Sequence, residues 1–537
     1  MDCRSLLPHQ LPHTSKLYRD FTENFPAVDT FFAHPPSLKA VSAYAKKLEF
    51  PGDRSREVAA ILRDQNLGYG SGEATEENLW RLEEGAAAVV SGQQVGLFGG
   101  PSYAFYKALT AIETARQLTH EGIAAVPIFW MATEDHDVDE VRHTTWFFEG
   151  KLQRFELPKP AEEAVPVGRI PLGDGVIELV EQAIAQLLWP AGAEIAEILH
   201  DSYTRDDTYG SAFAKMFTRI FGEQGLILLD PLDARLHRVA APILRDALAE
   251  RDTINELLLR RGKELERAGY EVQVKVGTKS TLLFSLQGGK RQVISAANGQ
   301  FACGERSTAR EECLRRVESE PELFSPNALF RPVVQDYLLP TVAYFGGPAE
   351  IAYFAQSQVL YEKLLGRVPV VLPRSDFTLV DPKGVRLLKK YGLEVEDVWQ
   401  GRQELRKRMY AGNVPKKLAR EFEKSIRRMG KSVHKLHKAI AKVDPTVQGP
   451  IARAEKRIRY QIKRVREKTG ASLDRHEKVI ERHEEFLENL LYPQKGLQAR
   501  DLCFLPFLAR WGNEGLKELQ KIAGPKKPGR HCIVPIP

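Results

Sequence analysis

The chemically richest group of residues is an acidic cluster at residues 133–143, with the sequence TEDHDVDEVRH. Its candidate catalytic residues are Glu134, His136 and Asp137, because a histidine between carboxylates can take a proton from an amine or orient a phosphate. Glu134 and Asp137 also offer the oxygen ligands that Mg²⁺ prefers. The spacing matches no standard zinc pattern, so we predict no resident metal site. The alternative is a solvated helix start, where Asp and Glu are favoured.

A second candidate region is the polar, glycine-rich stretch at residues 91–101, which leads into a helix predicted from Tyr103. Small residues let a ligand approach the backbone, and a helix N-terminus carries unpaired N–H groups and a partial positive charge. The stretch is not a P-loop, since no Gly-Lys-Ser/Thr closes it. A tight strand–helix connection without a ligand is the alternative. The residues predicted to hold an anionic substrate group are Ser91, Gln93, Gln94, Gly99, Gly100, Ser102, Tyr103 and Lys107.

Three further substrate-binding candidates lie later in the chain. Gly346 and Gly347 belong to the sequence Phe-Gly-Gly-Pro at residues 345–348, which repeats that of residues 98–101. Arg374 follows an apolar run at residues 368–372, and an arginine can pair bidentately with a carboxylate. The sequence thus predicts glycine turns before two helices, with a cation after a neighbouring strand.

A parallel sheet must position these residues. The apolar runs at residues 86–90 and 124–131 are predicted strands, joined by the helix from Tyr103. Another predicted strand at residues 226–229 ends before Asp230. Side chains at the carboxyl ends of parallel strands line the crevice in which doubly wound folds bind ligands. The sequence therefore predicts an α/β class protein with its site at those strand ends.

The composition is typical of a globular protein with more than one domain. The chain has 537 residues, of which 43% are hydrophobic and 28% charged. Neither a signal peptide nor a membrane-spanning run is found, so we expect a cytoplasmic protein without a membrane partner. Five scattered cysteines form no CxxC pair, which argues against a disulfide framework or a zinc ribbon.

We divide the chain into a core, a helical hairpin and a returning segment. The core is predicted at residues 1–384, with insertions at about 146–327, and the last segment at residues 496–537. Between them, residues 385–495 carry apolar residues at steps of three and four, which predicts a long antiparallel coiled-coil hairpin. The predicted seam of its first helix is Leu418, Phe422, Ile426, Met429, Val433, Leu436 and Ile440. Asp444-Pro445 and Gly449-Pro450 are expected to form the turn, and a second helix is expected from Ile451 to before Pro493.

Charge leaves a rival function open. Residues 401–490 hold 25 Lys and Arg against 12 Asp and Glu, which is compatible with a nucleic-acid-binding or scaffold protein. Few aromatic residues accompany these cations, so base stacking would be poorly served. We therefore favour an enzyme without a nucleic-acid partner.

Three motifs resemble the BshC family, the cysteine-adding enzymes of bacillithiol biosynthesis. They are SGQQVGLFGGPSYAFYKALTAI, PIFWMATEDHDVDEV and YFGGPAEIAYFAQ, and a late coiled coil accompanies them. The resemblance covers essentially the whole chain. It implies a Rossmann-like core similar to nucleotidyltransferases, connecting insertions, and a coiled coil that supports a homodimer. Related transferases carry a His-x-Gly-His signature, whereas this chain has Glu-Asp-His-Asp at residues 134–137.

The resemblance also implies a reaction, in which the cysteine carboxyl group is joined to the amine of glucosaminyl-malate. An amide cannot form from a free carboxylate without activation, so we expect ATP or another activated-phosphate donor, with Mg²⁺ as a candidate companion. A different amide ligase or nucleotidyltransferase on the same core, with another acceptor, is an alternative that the sequence leaves open.

Overall fold

A computed structural model describes residues 3–161, 164–297, 299–303, 306–441, 448–473, 478–525 and 528–537. The chain divides into two compact units. The first comprises Met1–Trp146, Gln153–Thr378 and Ala499–Val534. The second comprises Phe147–Leu152, Leu379–Gln498 and Pro535–Pro537. In the described part of the chain, no helix is long and apolar enough to cross a membrane.

The strands are numbered in chain order. They are β1 (Arg4–Leu6), β2 (Ala87–Gln93), β3 (Ala125–Met131), β4 (His143–Phe148), β5 (Lys151–Glu156), β6 (Ile227–Leu229), β7 (Ser280–Gln287), β8 (Lys290–Ala297), β9 (Gln300–Cys303), β10 (Arg306–Ala309), β11 (Phe324–Pro326), β12 (Thr341–Gly346), β13 (Val370–Pro373), β14 (Asp376–Val380) and β15 (His531–Pro535).

The helices are numbered in the same way. Those before residue 340 are α1 (Lys16–Glu23), α2 (Leu38–Ala45), α3 (Gly52–Gly68), α4 (Glu73–Glu83), α5 (Tyr103–His120), α6 (Val138–Val141), α7 (Gly175–Ile184), α8 (Gly192–Ser202), α9 (Tyr209–Phe221), α10 (Ala234–Ala249), α11 (Arg251–Arg267), α12 (Arg310–Ser319) and α13 (Arg331–Leu338). The later ones are α14 (Pro348–Leu364), α15 (Pro382–Tyr391), α16 (Val395–Val398), α17 (Arg402–Gly412), α18 (Lys416–Ile440), α19 (Gln448–Leu473), α20 (Val479–Leu491), α21 (Gln498–Asp501) and α22 (Leu505–Ile522).

The core of the first unit is a parallel sheet with the strand order β13-β12-β2-β3-β6. Its strands are buried on both faces, which explains their continuous apolar runs. The chain moves outward from β2 through β3 to β6, and later returns to the other side of β2 with β12 and β13. Strand order therefore reverses between β2 and β12, and such a switch point opens a crevice at the carboxyl ends of the strands.

The predicted parallel strands are confirmed, with shifted ends. β2 runs on to Gln93, because its pairing with β3 continues as far as Met131. The predicted turn is therefore shorter than residues 91–101. Within the predicted insertions, residues Val167–Arg169 form a short 3₁₀ turn, and Pro171 pairs with Thr208 in an isolated β-bridge. A second, antiparallel sheet with the order β10-β9-β8-β7-β11 lies within the predicted insertions.

The second unit contains the predicted coiled coil. Helices α18 and α19 pack together, with Arg466 beside Glu423 and Arg459 beside Gly430, so they run antiparallel. Gly449 and Pro450 lie within the first turn of α19 and do not form the predicted turn between the helices. Pro450 does not interrupt the helix, because a proline is tolerated at a helix start. The Asp-Pro part of the predicted turn lies outside the described residues.

Candidate active site

A cavity of about 720 Å³ opens at the switch point of the parallel sheet. Residues that follow β2, β3, β12 and β13 line it, together with side chains from α5, α13 and the antiparallel sheet. Its volume lies in the range of cavities that hold small substrates or cofactors, roughly 300–1,000 Å³. All of its lining residues belong to the first unit.

A buried ion pair forms the floor of the cavity. Lys107 Nζ lies 2.5 Å from Glu350 Oε2 and donates hydrogen bonds to Gly92 O at 2.6 Å and Gln93 Oε1 at 2.8 Å. Glu350 also accepts hydrogen bonds from Gly347 N and from the Tyr344 hydroxyl. Burial alone would raise the pKa of Glu350, but Lys107 and these donors outweigh it and lower that pKa. The pair ties α5 to the start of α14.

Two arginines give one wall a positive charge. Arg331 lies 5.6 Å from the Trp130 ring and donates to the hydroxyls of Tyr344 and Tyr353 at 3.2 and 3.3 Å. Arg374 is buried, and its Nη1 donates to Asp376 Oδ1 at 2.6 Å. Side chains held in this way present guanidinium groups in a fixed orientation, which suits the recognition of carboxylates or phosphates.

The support of Arg374 continues behind the cavity. Asp376 Oδ2 lies 2.8 Å from His531 Nδ1, and His531 Nε2 lies 2.8 Å from the Thr378 hydroxyl. The Arg374 guanidinium and His531 lower the pKa of Asp376 despite its burial. Asp376 is therefore an anion that orients Arg374. Arg500 adds an exposed cation at the edge of the same cavity.

Glu134, which follows β3, also lines the cavity. Burial, with a smaller contribution from Asp230, raises its pKa to about 8, and Arg291 opposes this effect. Its Oε1 lies 3.4 Å from Nε2 of His237, whose own pKa is lowered by burial. A carboxyl group with a pKa near 8 can exchange a proton close to neutral pH, as a general acid or base must.

Asp135 and His136 stand beside Glu134 and share Arg291 as a neighbour. Arg291 Nη1 lies 3.3 Å from His136 Nδ1 and 3.8 Å from Asp135 Oδ1, and its guanidinium stacks on Phe284 at 4.0 Å. The amide of Gln94 donates to Asp135 Oδ2 at 2.8 Å. Asp135, which follows β3, is thereby connected to Gln94 at the end of β2, as the prediction of a shared crevice requires.

Eight of the predicted site residues line the cavity. They are Gln93, Gln94, Tyr103, Lys107, Glu134, His136, Gly347 and Arg374. Their predicted roles in binding or catalysis stay predictions. Lys107, however, differs from the expected free donor, because its hydrogen bonds and its ion pair lie within the protein.

The other predicted residues are not among the lining residues of the cavity. Gly99 has φ +87°, and a Cβ there would lie 2.6 Å from the Phe105 ring, so this glycine serves turn geometry and packing. Gly100, at φ +64°, likewise sits in the buried turn. Gly346 lies at the end of β12, where a Cβ would approach Glu350 Cβ to 2.8 Å. The expectation of a glycine cradle around an anion is therefore corrected at these three positions.

Ser91, Ser102 and Asp137 have structural partners. The Ser91 hydroxyl donates to Phe345 O at 2.7 Å and links β2 to β12. The Ser102 hydroxyl donates to Leu502 O at 2.6 Å. Asp137 is exposed and caps α6 by accepting from Asp139 N, which is the solvated helix start considered as the alternative.

Glu134 lines the cavity, whereas Asp137 is not among its lining residues. Among the described residues, no three His, Cys, Asp or Glu side chains are grouped to hold a metal. Carboxylates that line the cavity besides Glu134 are Asp135, Glu140 and Glu350.

Several residues of the site were not predicted. Glu350 and Tyr344 lie in the quoted YFGGPAEIAYFAQ motif, and the spacing of Gly347 and Glu350 is that of a capping pair, so a signal was present. Arg291, Arg331 and His237 come from separate elements whose local patterns carry no sign of a site. Only the fold brings Arg291 and Arg331 to the cavity and places His237 against Glu134.

Fold and site together define a Rossmann-like α/β protein with a ligand cavity at its switch point and a coiled-coil second unit. The model of the Bacillithiol biosynthesis BshC N-terminal Rossmann-like domain matches residues 1–375, and that of the BshC C-terminal coiled-coil domain matches residues 377–535. The chain belongs to the BshC family, and the predicted resemblance and fold class are confirmed.

Curated relatives agree with this assignment, each under the name "Putative cysteine ligase BshC". The protein of Koribacter versatilis is 40% identical over 530 residues, which cover 97% of this chain and 98% of that protein. The protein of Solibacter usitatus is 37% identical over 95% of this chain and 96% of its own length. For Staphylococcus carnosus the identity is 30% over 74% of each chain. The chain is thus an enzyme of a ligase family in bacillithiol biosynthesis.

Proposed function

We propose that this enzyme forms an amide bond between the carboxyl group of cysteine and the amine of glucosaminyl-malate, which yields bacillithiol. The observation that carries the proposal is the pairing, in one cavity, of a cationic wall with a carboxyl group whose pKa lies near 8. The acceptor substrate has matching features, since its malate carboxylates are anionic and its amine must lose a proton during the reaction.

The arginines and carboxyl groups of the cavity suggest an orientation for the acceptor. Its carboxylates would face Arg331, Arg374 and Arg500, which supply charge and hydrogen-bond donors. Its amine would then face the carboxyl groups of Glu134 and Asp135. Glu134 and Asp135 thus serve the acceptor amine in this proposal, in place of the phosphate contacts of a His-x-Gly-His signature.

Activation would precede the amide bond. An oxygen of the cysteine carboxylate attacks a phosphorus atom of ATP, and pyrophosphate or ADP leaves. The acceptor amine then attacks the acyl carbon, so that a C–N bond forms while the C–O bond to phosphate breaks. Glu134 in its ionised form takes the proton that the amine releases, and His136 lies beside it to assist.

A nucleotide is the proposed co-substrate. The cavity volume of about 720 Å³ lies in the range of cavities that hold cofactors, and Arg500 places positive charge at the cavity edge. Mg²⁺ on the phosphates would neutralise developing charge and would be held by Asp135 and Glu140.

Amide formation can be measured directly with the purified protein. We expect cysteine, glucosaminyl-malate and MgATP to give a product whose mass equals that of the two substrates less one water. Cysteine labelled with ¹⁸O in its carboxyl group identifies the activated species. Label in AMP indicates an adenylate, and label in phosphate indicates an acyl phosphate.

A matched acceptor control uses glucosamine without its malate group, which we expect to react far more slowly because the cationic wall has no partner. The absence of the amide with every phosphate donor tested would refute the proposed function. A product with glucosamine as good as that with glucosaminyl-malate would instead favour a different amide ligase.

We also propose that the coiled coil supports a homodimer. Apolar side chains of both long helices stay open to solvent in the single chain: Leu436, in the predicted seam of α18, is 56% exposed, and Val465 on α19 is 54% exposed. A second hairpin would cover them. Light scattering should then give twice the chain mass of 60.5 kDa, and Leu436→Glu with Val465→Glu should halve the measured mass. Leu188→Glu, at an exposed leucine of the first unit, is the control that should leave it unchanged.

A further inference from the structure

A pair of cysteine thiols lies outside the cavity, where β1 pairs with β15. Cys3 Sγ and Cys532 Sγ are 2.8 Å apart, although 529 positions separate the two residues in the chain. The two strands are antiparallel, and Ser5 lies opposite Cys532. Cys3 is two residues before Ser5 in the chain, so its side chain lies on the same face of the sheet as those of Ser5 and Cys532. The pairing of the two strands therefore holds both side chains together.

We propose that Cys3 and Cys532 form a reversible redox site, a dithiol that low-molecular-weight disulfides oxidise to a bond joining β1 to β15. Both residues are half-buried, so a small reagent can reach them. The sulfur atoms are 2.8 Å apart, and a disulfide bond of about 2.0 Å needs only a small further approach. The inference does not depend on the proposed function.

The two other cysteines whose exposure is described lack these features. Cys313 and Cys503 are buried, and Cys503 Sγ donates to Phe98 O at 3.3 Å. Selectivity for the Cys3–Cys532 pair thus follows from access and proximity.

The reaction is a thiol–disulfide exchange in two steps. Burial, aided by the neighbouring Cys3 thiol, raises the pKa of Cys532 to about 12, so the Cys3 thiolate is the first nucleophile. It attacks one sulfur of cystine, giving a mixed disulfide and one cysteine. Cys532 then loses its proton, attacks Cys3 Sγ and releases the second cysteine. Two electrons pass from the protein dithiol to cystine, and a reductant such as dithiothreitol reverses the process.

The bond would hold a strand that supports the cavity. β15 also contains His531, which contacts Asp376, and Asp376 orients Arg374. A cross-link between residues so distant in sequence restricts the unfolded chain and thereby stabilises the fold. We expect the oxidised protein to melt roughly 2–5 °C higher than the reduced protein.

The test treats the full chain with cystine, blocks the remaining thiols with an alkylating reagent and maps peptides without reduction. We expect one peptide pair that links Cys3 to Cys532, the loss of two free thiols, and a higher melting temperature that dithiothreitol reverses. Cys3→Ser and Cys532→Ser should each lack the linked pair and the thermal shift. Cys313→Ala, which changes a buried cysteine elsewhere, should retain both.

Other outcomes would overturn the inference. Separate cysteine adducts on the two thiols would show that they cannot reach each other, and a link between two chains would show that the pair is not intramolecular. Unchanged thiols after prolonged exposure to cystine would show that the site is inaccessible. Should Cys532→Ser fold poorly, the linked peptide in the wild type and its absence in Cys3→Ser still decide the matter.

Discussion

Replacing Glu134 by glutamine is expected to lower turnover in the amide-forming assay by about 10²–10⁴-fold. Glutamine keeps the size of the side chain but cannot accept the proton of the attacking amine. Asp137→Asn is a matched control, because Asp137 belongs to the same acidic cluster yet is exposed and caps α6. We expect this control to retain turnover near that of the wild type.

The pH dependence of the wild type should reveal the same group. Burial raises the pKa of Glu134 to about 8, so its ionised, proton-accepting form accumulates as the pH rises through that value. We expect kcat/KM to increase about tenfold per pH unit below pH 8 and to level off above it. Glu134→Gln should remove this limb. A flat profile in the wild type would exclude Glu134 as the base.

Stability distinguishes this role from a structural one. Because the pKa of Glu134 is raised on folding, its burial favours the protonated form, and its contribution to stability declines as the pH rises from about 4.5 to 8. Glutamine stays neutral, so Glu134→Gln should melt higher than the wild type at pH 9. A variant that is inactive because it unfolds would melt lower. The same measurements of turnover and melting temperature on His136→Asn, prepared in the same way, give the separate contribution of the neighbouring imidazole to activity and to stability.

Lys107→Met is expected to lower the free energy of unfolding by about 3–5 kcal/mol. Lys107 is 1% exposed, and its loss would leave the largely buried Glu350 carboxylate without its cation. Chemical unfolding of the variant measures this effect. The matched double variant, Lys107→Met with Glu350→Gln, removes both charges.

The double variant should recover much of the lost stability, because replacing both members of a buried pair costs less than breaking it. A loss below about 1 kcal/mol in the single variant would mean that the pair behaves like one at the surface. It would also mean that the floor of the cavity is less rigid than its hydrogen bonds indicate.

The sheet was predictable because its strands are buried on both faces and therefore read as unbroken apolar runs. The position of Glu134 and Arg374 at strand ends followed from the same reasoning. The prediction that Gly99 helps to hold an anion did not follow as safely. A glycine needed for a positive φ and for close packing against Phe105 looks the same in sequence as one that contacts a ligand. Physical context alone separates the two.

Long-range contacts account for the rest. Arg291 and Arg331 reach the cavity from a strand of the insertion and from the start of α13, and nothing in their local sequences marks them. The raised pKa of Glu134 likewise depends on burial that several elements create together. Pairing of Cys3 with Cys532 needed the register of β1 on β15, and counting cysteines along the chain gave no hint of it.

A crystal structure of the protein with glucosaminyl-malate tests the central claim most directly, because that claim places the acceptor in this cavity in one orientation. We expect the malate carboxylates within hydrogen-bond distance of Arg331, Arg374 or Arg500, and the amine nitrogen beside Glu134. An acceptor bound outside the cavity, or bound with its amine toward the arginines, would contradict the account.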